Sequence, residues 1–397
     1  MLPLAGLTVI EIASFVAGPS AGLALAQLGA DVVRVDPLGG AVDVNRWPVT
    51  DDGTSVYWSA LNRAKRSVEI DLRSDTGQDL VRKMICGPGA DRGVVIDNLP
   101  RAKWLDWPQL AALRSDVIHV HIEGHRDGRP AVDYTVNAEV GLPLVTGPED
   151  AVAPINNPLP AWDLLCGMAA ALAVVSAVHR RDRTGEGARV DISLSDIALA
   201  TLANLGWYTE AATGIDRARH ANSVYGSYGE QFTCSDGEHV MVVALTPSQW
   251  KALVSVTATS PQIADLEANA GVNFAENEAA RFLHRQKLRE VLDPWFASRP
   301  RAEVASALDE ARVLWSPYRT MRDVAASGGG PLHHLQQPRI GQVISAESPM
   351  RWRDATPIDR AASALGEDTL STLEALTNLG PEELRLLVDG GVLGGDR

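Results

Sequence analysis

The amino-acid sequence predicts an α/β chain: a large domain built on a parallel sheet with helical crossovers, then a smaller α+β domain. Three observations predict this. Short apolar runs of strand period alternate with helical runs as far as Ile122. The composition shifts at residues 214–223, after which a hairpin and several helices are expected. At 397 residues the chain exceeds what one hydrophobic core usually serves.

The elements follow in order. Residues 7–12 (LTVIEI) read as a buried strand, and a loop over 13–19 leads into a helix at 20–28. Gly29-Ala30 ends that helix, and 31–35 (DVVRV) is the next strand, closed by Asp36. The loop between strand and helix holds Gly18-Pro19 but no GxGxxG, which excludes a dinucleotide fingerprint and an NAD enzyme. A loop-rich stretch, 37–54, precedes a strand at 68–72, a helix at 74–85, a strand at 93–96, a helix at 107–113 and a strand at 117–122. His119 and His121 are taken as strand residues, because the sequence shows no third ligand nearby. The loop 124–130 follows that strand's C-terminal end, where α/β proteins place ligands. A strand at 188–192 and a helix at 193–205 complete the first part. Strands at 229–233 and 240–243 then form a hairpin, and three or four helices follow between Gln249 and Arg312. The tail, 365–392, reads as a helical pair.

Bulk chemistry narrows the function. A net charge of −14 argues against a nucleic-acid surface. Cys86, Cys166 and Cys234 make neither a metal spacing nor a disulfide framework, which suits a reducing compartment. The first residues lack a signal-peptide pattern, so a cytoplasmic protein is expected. No membrane partner is expected either: the apolar run 164–178 is short for a bilayer and closely followed by Arg180, Arg181 and Arg183.

Two stretches carry candidate chemistry. Arg63, Lys65, Arg66 and Arg73 cluster about one strand, as a solvated patch or a seat for phosphates. Leu159-Pro160-Ala161-Trp162-Asp163 places a carboxylate where a loop enters an apolar helix. Asp163 reads as a helix N-cap, or as a nucleophile able to form a covalent acyl intermediate, and the two readings are compatible.

The ordered motifs LAGLTVI (4–10), AGP (17–19), LGADVVRVD (28–36), NRAKRSV (62–68), Asp163 with Gly167, and TGEG (184–187) resemble the family III CoA-transferases nearly end to end. The resemblance implies an enzyme whose protomer has a Rossmann-like large domain and a smaller α+β domain, and whose two copies interlock as a homodimer. The expected divisions are 1–215 (large, CoA-binding and catalytic), 225–325 (small) and 326–397 (a segment returning to the large domain). It implies an acyl-CoA substrate with CoA as part of it, no permanently bound cofactor, and no metal. The family's nucleophile maps onto Asp163. CoA contacts map onto Val16 and Ala17, onto Ile70, Asp71, Leu72 and Arg73, onto Asn98 and Leu99, and onto Arg101 or Lys103. A basic residue of the family falls on Pro37 here. Oxyanions along the path would be met by backbone N–H groups at the start of the Asp163 helix.

Further stretches, NRWPVT (45–50), VDYTVN (132–137), LPAWD (159–163) and WSPYRT (315–320), are similar to the branch of the family that moves CoA within one acid, between the C1 and C4 carboxyls of mesaconate. Arg46 is the candidate for the substrate's free carboxylate, its alternative being a surface salt bridge. Where the family's racemases carry a His this chain has Val132, and where formyl-CoA-type transferases carry a Gln it has Val16. An intermolecular transferase is the second reading.

Overall fold

The structure, a computed structural model, describes residues 1–100 and 102–394. The chain forms two compact units, one of Met1–Val140, Asn157–Thr213 and Gly328–Arg397, the other of Gly141–Asn156 and Gly214–Ser327.

In the first unit β1 (Thr8–Ile12), α1 (Ala17–Gln27), β2 (Asp31–Asp36), α2 (Val56–Leu61), β3 (Arg66–Glu69), α3 (Asp75–Cys86), β4 (Val94–Asp97), α4 (Trp107–Leu113), β5 (Ile118–Glu123) and α5 (Asp133–Glu139) alternate. After α6 (Leu142–Val145), which belongs to the second unit, come α7 (Ala161–Thr184), β6 (Ala188–Ser193), α8 (Leu194–Asn204) and α9 (Trp207–Ala212). The strands make one parallel six-stranded sheet in the order β3-β2-β1-β4-β5-β6. The order reverses direction between β1 and β4, so the loops after these two strands flank the crevice where such sheets bind ligands. Asn98, after β4, bonds both backbone groups of Ser14, after β1, at 3.2 and 3.1 Å.

Local chemistry explains the helices. Ser74 caps α3 by accepting the Gly77 N–H at 3.0 Å, and the helix turns Leu80, Val81, Met84 and Ile85 onto the sheet. Each such aliphatic side chain contributes about 1.5–3 kcal/mol when fully buried. The tail adds Leu373, Leu376, Leu384 and Leu393 to the same core. It also shortens a strand. Ile70 bridges Leu393, and the Asp71 N–H goes to the Val392 carbonyl at 2.8 Å. The expected strand at 68–72 therefore ends at Glu69, and Asp71–Arg73 form the turn into α3.

α7 runs 24 residues, further than the apolar stretch 164–178 foretells. Its buried Arg181 donates to the carbonyls of Arg92 (2.7 Å) and Ala90 (3.1 Å), and Gly185 ends the helix at φ 70°. By length and composition it could cross a membrane, which corrects the view that the run is too short. It packs against α1, β5 and β6, as a core helix does.

The second unit pairs β7 (Gly229–Thr233), β8 (His239–Val243) and β9 (Leu314–Pro317) in one antiparallel sheet. The helices between β8 and β9, from Pro247–Val256 to Arg301–Glu310, share its core around Trp250, Phe232 and Phe296. Residues 141–156 fall in this unit although the sequence places them in the large domain. The Arg219 guanidinium holds them by donating to the carbonyls of Pro143, Leu144 and Ala151.

Candidate active site

The site is built at the start of α7. Asp163 sits in its first turn, half-buried, and is not the cap. That role belongs to Asp133, a buried carboxylate at the start of α5, whose Oδ2 accepts the N–H groups of Trp162 (2.7 Å) and Asp163 (3.2 Å). Trp162 is locked a second time, its indole N–H donating to Asn137 Oδ1 at 3.1 Å. The cap reading of Asp163 is thereby replaced. So is the oxyanion reading of the helix start, because a carboxylate already occupies those amides.

The electrostatics single out Asp163. Burial pushes its carboxyl up to about 7, the nearby Asp133 charge adds to this, and Arg46 opposes it. Burial also raises Asp133, whose two amide bonds act in the other direction. The two amide bonds favour the charged form of Asp133, and that charge opposes the ionisation of Asp163.

Arg46 lies with its guanidinium carbon 5.5 Å from the Phe15 ring centroid and 5.0 Å from that of Tyr57. Among the described residues it forms no ion pair, so the surface salt bridge is not found. Beneath it runs a buried ionic network. Arg34 donates to Asp36, Asp43 and Asn62, and Asp43 Oδ2 accepts the Phe15 N–H at 2.8 Å. This bond holds Phe15 at φ 68°, a strained conformation for a non-glycine residue, at the head of α1.

The basic stretch does not form the phosphate seat. Lys65 is buried, 2.8 Å from Glu11, and donates to Pro19 O and Asn62 Oδ1. Arg63 pairs with Asp359 and the half-buried Arg66 with Asp31, so three of the four basic groups are committed to acids of the chain; Arg73 is exposed. A separate cleft of about 690 Å³ brings together Leu72, Leu99 and Lys103, with Gln78, Arg82 and Trp104 beside them. Of the remaining CoA candidates, Val16 and Ala17 are buried at the start of α1, and Asn98 ties that loop to the cleft side through Ser14. Ile70 is wholly buried, and the backbone N–H groups of Ile70 and Asp71 are taken by Asp36 and Val392. Their backbone donors are therefore closed to a ligand. Arg101 lies outside the described residues.

One group among the described residues has the makings of a metal site: Asp97, His119 and His121, with donor atoms within 4.8 Å of one another. Asp97 is the third group that the sequence did not reveal beside the two histidines. Its oxygens meet His119 Nε2 at 2.5 Å and His121 Nδ1 at 2.9 Å, and its carboxyl is held down at about 2 by those bonds against the cost of burial. Among the described residues the opposite nitrogen of His119 is buried without a partner, whereas metal-bound imidazoles normally pass that N–H to an acceptor. The cluster fits a buried carboxylate held by hydrogen bonds to two imidazoles better than a metal centre. Where a racemase would need its second base, Val132 caps α5, and His125 stands 3.6 Å from Glu139.

Comparison with known proteins places the chain. A profile of CoA-transferase family III matches residues 4–369. The chain belongs to that family, and it is an enzyme of the CoA-transferase class. It is 42% identical to the 2-methylfumaryl-CoA isomerase of Chloroflexus aurantiacus, with 99% of this chain and 98% of that protein covered. It is 29% identical to the succinyl-CoA:mesaconate CoA-transferase of Haloarcula hispanica over 88% of this chain and 90% of the other. A crystal structure of a CaiB/BaiF family protein from Brucella suis superposes with a TM-score of 0.75 at 27% identity, covering 94% of this chain and 99% of that one.

Proposed function

We propose that the protein moves CoA between the C1 and C4 carboxyls of mesaconate, converting 2-methylfumaryl-CoA to 3-methylfumaryl-CoA, with Asp163 as the covalent relay. The observation that carries this is the half-buried Asp163 carboxyl, pushed up to about 7 on a backbone clamped by Asp133 and facing the charge of Arg46. The 42% identity to an isomerase of that name supports the substrate.

The ionised Asp163 attacks the thioester carbonyl, forming a mixed anhydride and expelling CoA thiolate. The thiolate attacks the aspartyl carbonyl, giving an aspartyl-CoA thioester and free mesaconate. Mesaconate turns over in the site, and its other carboxylate attacks the thioester. A second anhydride forms, and the thiolate returns to the new acyl end, releasing Asp163. Retaining the acid replaces a diffusional encounter by a local one. Arg46 holds the carboxylate that is not reacting. With the α7 amides occupied, the donors for developing oxyanions are the backbone N–H groups of Val16 and Ala17, at the head of the helix that abuts α7 at Gly167. The CoA moiety occupies the cleft of Leu72, Leu99 and Lys103.

A second copy of the chain is the expected partner. Leu165, Met168 and Leu172 form an exposed apolar stripe on α7, which an interlocked homodimer would cover. The second reading is transfer to an external acid, favoured by the 29% identity to a succinyl-CoA:mesaconate CoA-transferase.

The test is to incubate the purified protein with mesaconyl-C1-CoA and no acceptor acid, then separate the products. The C4 thioester appears with total CoA ester conserved, and Asp163→Asn yields none. Turnover only after a second acid is added would establish the external-acceptor reaction instead.

A further inference from the structure

The Tyr57 hydroxyl is an unexplained feature of the site. It is buried and, among the described residues, finds no hydrogen-bond partner. Buried polar groups are almost always satisfied, since an unpaired one forfeits its hydration without return. The position is not remote from the chemistry. The Arg46 guanidinium lies 5.0 Å from the ring centroid, and the charges of Arg46 and Asp163 both act on the hydroxyl. The helix that carries Tyr57 is fixed, with Ser55 accepting the Trp58 N–H at 3.0 Å and Trp58 buried.

We infer that Tyr57 is a substrate-binding and specificity-determining residue, whose hydroxyl donates a hydrogen bond to the free carboxylate of a dicarboxylyl-CoA and to the dicarboxylate released while Asp163 holds CoA. This rests on the transfer reaction proposed above, in either its internal or its external form. Arg46 supplies charge to the carboxylate, and Tyr57 supplies a donor of fixed direction. A site that keeps water off this hydroxyl makes the bond strong when formed, and discriminates against an acyl group with no carboxylate to accept it. Burial pushes the phenol up to about 12, and the Asp163 charge adds to this against Arg46, so the group keeps its proton at neutral pH.

The decisive variant is Tyr57→Phe, which preserves the ring under Arg46 and removes only the donor. Three quantities are read on the full-length enzyme: kcat/KM for mesaconyl-C1-CoA, inhibition by free CoA, and the melting temperature without substrate. The inference predicts a loss of kcat/KM of about tenfold to a hundredfold, the range for a hydrogen bond to a charged group. It predicts unchanged inhibition by CoA and a melting temperature that is equal or higher, because an unsatisfied buried hydroxyl has been removed. A kcat/KM within twofold of the unmodified enzyme would overturn it. So would a fall in melting temperature with parallel weakening of CoA inhibition, which marks a structural role. If the unmodified enzyme turns over only with an added acid, the internal-transfer reading falls, and the same kcat/KM ratio in that reaction decides the role of Tyr57.

Discussion

The backbone N–H of Asp163 donates to the side chain of Asp133 at 3.2 Å, so one carboxylate of the site holds the chain that presents the other. The bond does two things at once. It seats the first turn of α7, and it brings a negative charge close enough to resist ionisation of Asp163.

Activity therefore follows the ionisation of Asp163. As the proposed nucleophile it must be charged, and its carboxyl sits at about 7 through burial first and Asp133 second. The rate of CoA transfer rises with pH through that region and levels above it. Asp133→Asn keeps an oxygen to accept the two amides but removes the charge. The acid limb of kcat/KM then moves down by about one pH unit. Asp133→Ala bares both amides and costs about 1–2 kcal/mol of stability as a lost cap. A pH–rate profile with denaturant melts separates the two effects.

The raised carboxyl also makes Asp163 a cost to the fold. Its charged form is disfavoured in the native state relative to the unfolded chain. The penalty is absent below about pH 4, grows as pH rises towards 7, and is constant above. Asp163→Asn is accordingly more stable than the parent at pH 8, by about 2 kcal/mol once solvent screening is allowed for. The gain shrinks towards zero as pH falls to 4. Urea melts at pH 8 and pH 5 measure this.

Gly167 sets how closely α7 approaches α1. A Cβ there would lie 2.7 Å from the Ala17 carbonyl oxygen and against the Ser20 hydroxyl. The hydroxyl can rotate away, but the backbone carbonyl cannot. Gly167→Ala destabilises by about 1–3 kcal/mol. By displacing Val16 and Ala17 it also lowers kcat more than the stability loss explains. Comparing kcat well below the melting temperature with the melting curve tests both.

Much of this was legible in the sequence. Alternating strand and helix periods gave the parallel sheet, and a carboxylate entering an apolar helix drew attention to Asp163. What stayed hidden depends on partners distant in the chain. Asp133 reaches Asp163 across 30 residues, and no local pattern announces a cap supplied from another helix. The basic stretch looked like a phosphate seat because its acids are far away in sequence. Asp359 lies 296 residues from Arg63, and the tail that brings it back also ends β3 early. Asp97 and the two histidines sit on different strands, so only the register of β4 on β5 unites them. Tyr57 gave no signal, since an unpartnered hydroxyl is visible only in three dimensions.

The central claim is that CoA passes through Asp163 from one carboxyl to the other without the acid leaving. The most direct measurement is to convert unlabelled mesaconyl-C1-CoA in the presence of excess free mesaconate labelled with carbon-13, and to weigh the C4 thioester by mass spectrometry. The account predicts a C4 product free of label while unreacted C1 thioester remains. Label entering the product in proportion to the free acid would contradict it and show that each turnover draws its acceptor from solution.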